Sequence, residues 1–170
     1  MIHFAESTDK KTVFNTVKEF IMNKAFNIAN EDSSRPWGGF LVINEAQAPL
    51  FIATFFSQFT PKDFEGFDKL SPKILLVAPH QRLSWQYHHR RSEIWTVIGG
   101  NAAIVRSETD EQNPQEKLPL GTTVSLKKGE RHRLVGVDEW GIIAEIWQHT
   151  DVSNPSDEDD IVRVQDDFGR

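Results

Sequence analysis

Apolar and polar positions follow two rhythms along the chain. From Asp9 to about Ala29, Val13, Phe14, Val17, Phe20 and Ile21 recur three and four residues apart with Lys and Asn between them. That spacing predicts an amphipathic helix packed on the outside of the core that follows, or at a dimer contact. From Phe40 onward the pattern shortens. Phe40 to Ile43, Leu50 to Phe56, Lys73 to Ala78, Ala102 to Arg106, Thr122 to Leu126, His132 to Val137 and Trp140 to Gln148 read as strands from their β-branched and aromatic content. Within Phe59 to Leu70, Thr60 can cap and Pro61 can start a short helix carrying Phe64 and Phe67. Glu108 to Lys117, polar and with Pro114, reads as a loop.

One stretch alternates without being simply amphipathic. If Arg82 to Arg90 is pleated, Arg82, Ser84, Gln86, His88 and Arg90 share one face, and Leu83, Trp85, Tyr87 and His89 the other. Imidazole, amide and guanidinium groups in alternation, with Glu93 just beyond, suit the lining of a pocket better than a water-facing strand.

Composition narrows the chemistry. With 170 residues the chain is long enough for one well-buried core, and 5 Trp and 12 Phe suit a barrel packed at one end and open at the other. There is no cysteine, so a metal would rest on His and carboxylate ligands. A formal net charge of −6 argues against bulk nucleic-acid binding. Met1 to Lys11 lacks the apolar core of a secretory signal, and no run suits a membrane span, so a cytoplasmic protein with no membrane or nucleic-acid partner is expected.

Two motifs carry a resemblance. Gln86-Tyr87-His88-His89-Arg90-Arg91-Ser92-Glu93-Ile94-Trp95 is followed by Gly121, Lys128-Gly129, His132 and Gly136, a spacing similar to the two halves of a cupin signature. The first block resembles the Gln-x-His-His-His-Arg-Ala-Glu-His-Trp run of type II mannose-6-phosphate isomerases, which also occur as the C-terminal cupin domain of mannose-1-phosphate guanylyltransferases. Arg35-Pro36-Trp37-Gly38, Glu158-Asp159-Asp160-Ile161 and Asp167-Phe168-Gly169-Arg170 extend the likeness over most of Arg35 to Arg170. It implies an all-β fold, the cupin double-stranded β-helix or jelly-roll barrel, over residues 35–170, with residues 1–34 as an N-terminal helical extension and one short inserted helix.

Carried over residue by residue, the cupin metal positions fall on His88, Arg90, Glu93 and His132. Arginine stays protonated and has no free lone pair, so it cannot ligate. Two arrangements remain open. His88, Glu93 and His132 can hold Zn, Mn, Fe or Ni as a two-His-one-carboxylate set. Alternatively, Arg90 is the resident cation, attracting Glu93 at about 4 Å by roughly 4 kcal/mol at an effective dielectric of about 20, before desolvation. No organic cofactor is expected. Arg82, Arg91, Arg35, Gln86 and Trp37 are candidates for binding a sugar phosphate, because guanidinium forks pair with two phosphate oxygens at once. Glu93, His132 and Arg90 are the catalytic candidates, with Glu145 a further base on another strand. The family implies aldose–ketose isomerisation of mannose 6-phosphate and fructose 6-phosphate, or of a related hexose or heptose phosphate, by a chain that can form a homodimer. Arg90 and Ile94 stand where the family has His, which keeps open a non-catalytic cupin binding a sugar or nucleotide sugar, or a metal-free cupin epimerase.

Overall fold

The computed structural model describes residues 2–170. Two antiparallel sheets face each other. The first contains β1 (Ile28–Asp32), β2 (Gly38–Ile43), β3 (Lys73–Val77), β5 (Arg91–Gly99), β8 (Thr123–Leu126) and β10 (Gly141–His149), in the order β1-β2-β3-β10-β5-β8. The second contains β4 (Trp85–His88), β6 (Ala102–Ser107), β7 (Glu116–Leu118), β9 (Arg131–Gly136) and β11 (Ile161–Gln165), in the order β11-β4-β9-β6-β7. This is the all-β jelly-roll barrel of cupins. The sheet takes in Ile28–Asp32, upstream of the Arg35 boundary expected from sequence.

Period-two alternation divides the first sheet into two buried faces. Leu75, Val77, Trp95, Val97 and Ile143 point into the barrel, where they pack with Ile104, Leu126 and Leu134 at one end. Their neighbours Ile74, Leu76, Ile94, Ile142, Ala144 and Ile146 point outward. Helix α1 (Lys10–Asn23) covers that outer face with Val13, Phe14, Val17 and Ile21, and its Asp9 cap accepts the backbone N–H of Thr12 at 3.0 Å. It ends well before Ala29, because Ala25 sits at φ 66° and the chain then turns into β1.

The expected strand Leu50 to Phe56 is a helix, α2 (Ala48–Phe55). Phe51, Ile52 and Phe55 satisfy helical spacing as well as β composition, and Pro49 at the start of the helix favours the helical reading. Phe51 stacks edge-on with Phe26 and Phe55 at 5.6 and 5.0 Å, completing the cover of the sheet. The short inserted helix is a 3-10 turn, Pro61–Phe64, closed by a Thr60–Asp63 capping box. The loop expected to reach Lys117 stops earlier, since β7 begins at Glu116. Among the described residues no helix is long and apolar enough to cross a membrane.

Candidate functional site

A break in pleating decides which side chains enter the barrel. Between β4 and β5, His89 and Arg90 leave the strand, and the Asp160 carboxylate accepts both their backbone N–H groups, at 3.1 and 2.9 Å. Ser156 Oγ donates to the same carboxylate at 2.5 Å. Alternation stops at His88 and restarts at Arg91, so Arg91 turns inward and Arg90 does not. The Arg90 guanidinium lies 3.1 Å from Asp157 and 3.8 Å from Asp160. The cation beside Glu93 is therefore Arg91, which corrects the alternative that placed Arg90 against Glu93.

Arg91 is fully buried. Its Nε donates to Glu93 Oε1 at 2.7 Å, its Nη1 donates to Ser156 Oγ at 2.8 Å, and its guanidinium lies 3.5 Å from the Trp147 ring centroid. Its Nη2 comes within 3.1 Å of His88 Nε2. Burial pushes the Glu93 carboxyl up, but Arg91, His88 and His132 outweigh it and hold the group well below the usual carboxylate range. Burial also pushes His88 down, favouring its neutral ring.

His88, Glu93 and His132 are all buried, with potential ligand atoms within 4.8 Å of one another. His132 Nδ1 donates to the Glu130 carbonyl at 2.9 Å, so in the neutral ring Nε2 keeps the lone pair, 3.3 Å from Glu93 Oε2. That Nε2 and His88 Nδ1 are buried without a hydrogen-bond partner. His132 Nε2, left without a hydrogen-bond partner, and His88 Nε2, 3.1 Å from Glu93 Oε1, flank one ionised carboxylate, which fits a divalent cation, so the set could hold a metal. Arg91 meets the same Glu93 and His88 as a competing cation.

A second carboxyl shares the site. Trp95 Nε1–H lies 3.1 Å from both Glu93 Oε2 and Glu145 Oε1. Glu145 is 4% exposed, and burial followed by the Glu93 charge pushes it up to about 8, so it is mostly protonated at neutral pH. Lys73 is its cross-strand partner on β3. The Lys73 ammonium lies 3.4 Å from the Trp147 ring centroid and 3.7 Å from Glu158, and burial lowers its pKa.

These groups surround a cavity of about 60 Å³. Its buried lining includes Glu93, Glu145, Lys73, Arg91, Trp95 and Trp37, and its mouth is formed by the more exposed Arg35, Glu158, Arg163 and Arg170. Of the residues singled out from sequence, Glu93, Glu145, Arg91, Gln86, Trp37 and Arg35 line it, while His88 and His132 do not line it but contact Glu93. Arg82 does not, being paired with Asp167 at 2.6 and 3.0 Å, and neither does Arg90. Lys73 and Arg163 went unremarked in the sequence. The available signal was a lone charge in an otherwise apolar strand: Lys73 heads Lys-Ile-Leu-Leu-Val as Glu145 interrupts Gly-Ile-Ile-Ala-Glu-Ile-Trp.

Comparison with known proteins agrees with this geometry. A family model described as "Mannose-6-phosphate isomerase C-terminal" matches residues 62–166. The xanthan biosynthesis protein XanB of Xanthomonas campestris pv. campestris is 28% identical over 141 residues, 80% of this chain and 23% of that protein. The mannose-1-phosphate guanylyltransferase ManC of Salmonella typhimurium is 30% identical over 108 residues, 61% of this chain and 20% of that protein. The chain thus spans a quarter or less of these relatives' lengths. Among solved structures, the capsular polysaccharide assembling protein CapF of Staphylococcus aureus superposes with a TM-score of 0.54 at 12% identity, over 80% of this chain and 34% of that one. Vicilin from Solanum lycopersicum gives 0.52 at 17% identity, over 79% and 35%. At these identities the structures speak for the barrel alone. The chain belongs to the mannose-6-phosphate isomerase C-terminal family of cupin domains.

Proposed function

We propose that the cavity isomerises a phosphorylated sugar between aldose and ketose, with Glu145 moving the proton. Mannose 6-phosphate and fructose 6-phosphate, or a related hexose or heptose phosphate, are the substrates the family points to. The observation that carries the reading is the carboxyl pair under one indole N–H: Glu93 held ionised by Arg91, and Glu145 pushed up to about 8 beside Lys73. Two like groups whose affinities are driven apart mark a division of labour. Glu93 holds its proton too weakly to take one from carbon. Glu145, once ionised, is the strong base.

The Glu145 carboxylate removes the C2 proton of the open-chain aldose. The C–H electron pair becomes the C1–C2 double bond and the C1 carbonyl electrons move onto O1. Lys73 and Arg91, both against the Trp147 ring, stabilise the enediolate charge. A proton passes from O2 to O1, the double bond re-forms as C2=O, and Glu145 returns its proton to C1. The small cavity holds the reacting carbons, and the rest of the sugar lies over the mouth. A divalent cation held by His88, Glu93 and His132 would add Lewis-acid charge when bound.

The test is loss of deuterium from the C2-labelled sugar phosphate, with formation of the isomer. Wild type should move the label off C2, to solvent or to C1 of the ketose, and form ketose, and Glu145→Gln should do neither while remaining folded. Exchange with return of a C2 epimer would favour a metal-free epimerase. Arg91, already seated on Glu93 and His88, supports a second reading, a sugar- or nucleotide-sugar-binding module. Ligand binding with no exchange in wild type would establish that reading and overturn ours.

A further inference from the structure

Five cations line the cavity, and four are already engaged. Arg91 is bound to Glu93, Lys73 faces Glu158, Arg35 Nε lies 2.8 Å from Asp32, and Arg170 Nε lies 3.0 Å from Asp166. Arg163 alone of the five makes no ion pair among the described residues, and its buried Nε, like that of Arg35, has no hydrogen-bond partner. In a chain with 25 acidic residues against 19 Lys and Arg, an arginine kept clear of every carboxylate in a cleft needs another anion.

Register explains how it comes to face inward. Arg163 on β11 stands directly opposite Gln86 on β4, and Gln86 opposite His132 on β9. Directly opposed side chains share a face, so the three form one row across the second sheet, running from the contact of His132 with Glu93 to the cavity mouth. Gln86 and Arg163 both line the cavity. The arginine thus stands on a rigid strand, at the opposite end of the row from the reacting groups, with Arg35 and Arg170 also at the mouth.

We propose that Arg163 is the phosphate anchor of this pocket. It receives the dianionic monoester of the sugar through two parallel N–H donors and leaves the other end of the molecule over Glu145. This assignment rests on the sugar-phosphate reading above. The planar guanidinium offers a two-point contact that an ammonium group lacks. A phosphate there would also satisfy the Nε that the protein leaves bare.

The experiment titrates inorganic phosphate, and separately a hexose 6-phosphate and the unphosphorylated hexose, into wild type, Arg163→Gln, Arg163→Lys and Lys127→Gln. Lys127 is an exposed lysine that does not line the cavity, and Lys127→Gln makes the same charge change. Calorimetry gives affinity, and circular dichroism confirms that each variant is folded. Arg163→Gln should weaken both phosphate and hexose 6-phosphate at least tenfold, Arg163→Lys should recover only part of the loss, and Lys127→Gln should match wild type. The unphosphorylated hexose should bind both Arg163 variants as it binds wild type. In turnover, Arg163→Gln should raise KM at least tenfold and leave kcat within threefold. Unchanged phosphate affinity in folded Arg163→Gln, equal weakening by Lys127→Gln, or no phosphate binding by wild type would overturn the anchor. If phosphate binding needs Arg163 but wild type turns over no sugar phosphate, the anchor stands and the isomerase reading fails.

Discussion

Replacing Glu145 by Gln should make the protein more stable at neutral pH and erase part of its pH dependence. Glu145 is buried, and its pKa rises from an ordinary 4.5 to about 8 on folding. Below pH 4.5 the native and unfolded chains both carry the proton, and the group contributes its full share of stability. Above that, the unfolded chain releases the proton while the native chain keeps it, so each pH unit costs the wild type about 1.4 kcal/mol until the native carboxyl itself ionises near pH 8. Between pH 5 and pH 7.5 the loss is about 3 kcal/mol. The amide of Gln is neutral throughout and its oxygen can still accept from Trp95 Nε1, so Glu145→Gln should lack that loss. Urea unfolding of both proteins at pH 5 and pH 7.5, with chelator to remove metal, measures the four free energies needed. Other titrating groups cancel in the comparison, because the neutral carboxylic acid and the amide present the same charge to Lys73 and Glu93. If the two proteins lose stability in parallel between those pH values, Glu145 is not held neutral, and its role as a base poised near pH 8 goes with it.

The same group sets the expected rate profile: turnover in wild type should rise about tenfold per unit below pH 8, and a flat profile from pH 6 to 8 would exclude Glu145 as the base. Arg91→Met should cost about 3–5 kcal/mol in chemical unfolding, since it strands the buried Glu93 charge; a loss under about 1 kcal/mol would show that water replaces the guanidinium. Gly38→Ala should destabilise by about 2–4 kcal/mol, because Gly38 sits at φ +141° and a Cβ there would overlap the Leu76 carbonyl oxygen; a wild-type melting temperature would contradict that packing. Zn or Mn at about 100 times Kd should stabilise wild type by about 2.7 kcal/mol, and His132→Ala should abolish the shift while remaining folded; an equal shift in both would move the metal elsewhere.

The barrel was readable in the chain because turn residues and apolar alternation agree with each other over most of its length, and because the two histidine-bearing motifs sit at fixed spacing. Helix α2 was not, since Phe51, Ile52 and Phe55 serve a strand or a helix equally well until the sheet they cover is known. The site was legible as to its members Glu93, Arg91 and Gln86, and misread at Arg90 for a definite reason. Simple pleating carries Arg90 inward, and the residue that cancels it, Asp160, lies 70 positions further along the chain. Lys73 was hidden differently: in sequence it begins an apolar strand, and only the pairing of β3 with β10 sets it opposite Glu145.

The Asp160 turn means that the histidine-bearing segment is not a portable module. Transplanted into another barrel without its distant acidic partner, Gln86 to Trp95 would pleat straight through, placing Arg90 on the face of Gln86 and His88 and turning Arg91 and Glu93 together to the opposite face, so that every letter of the motif is kept while its ion pair leaves the pocket. Asp160 thus belongs to the signature of this pocket although it lines no part of the cavity. Its loss in a related chain would signal a reorganised pocket more reliably than many changes within the motif.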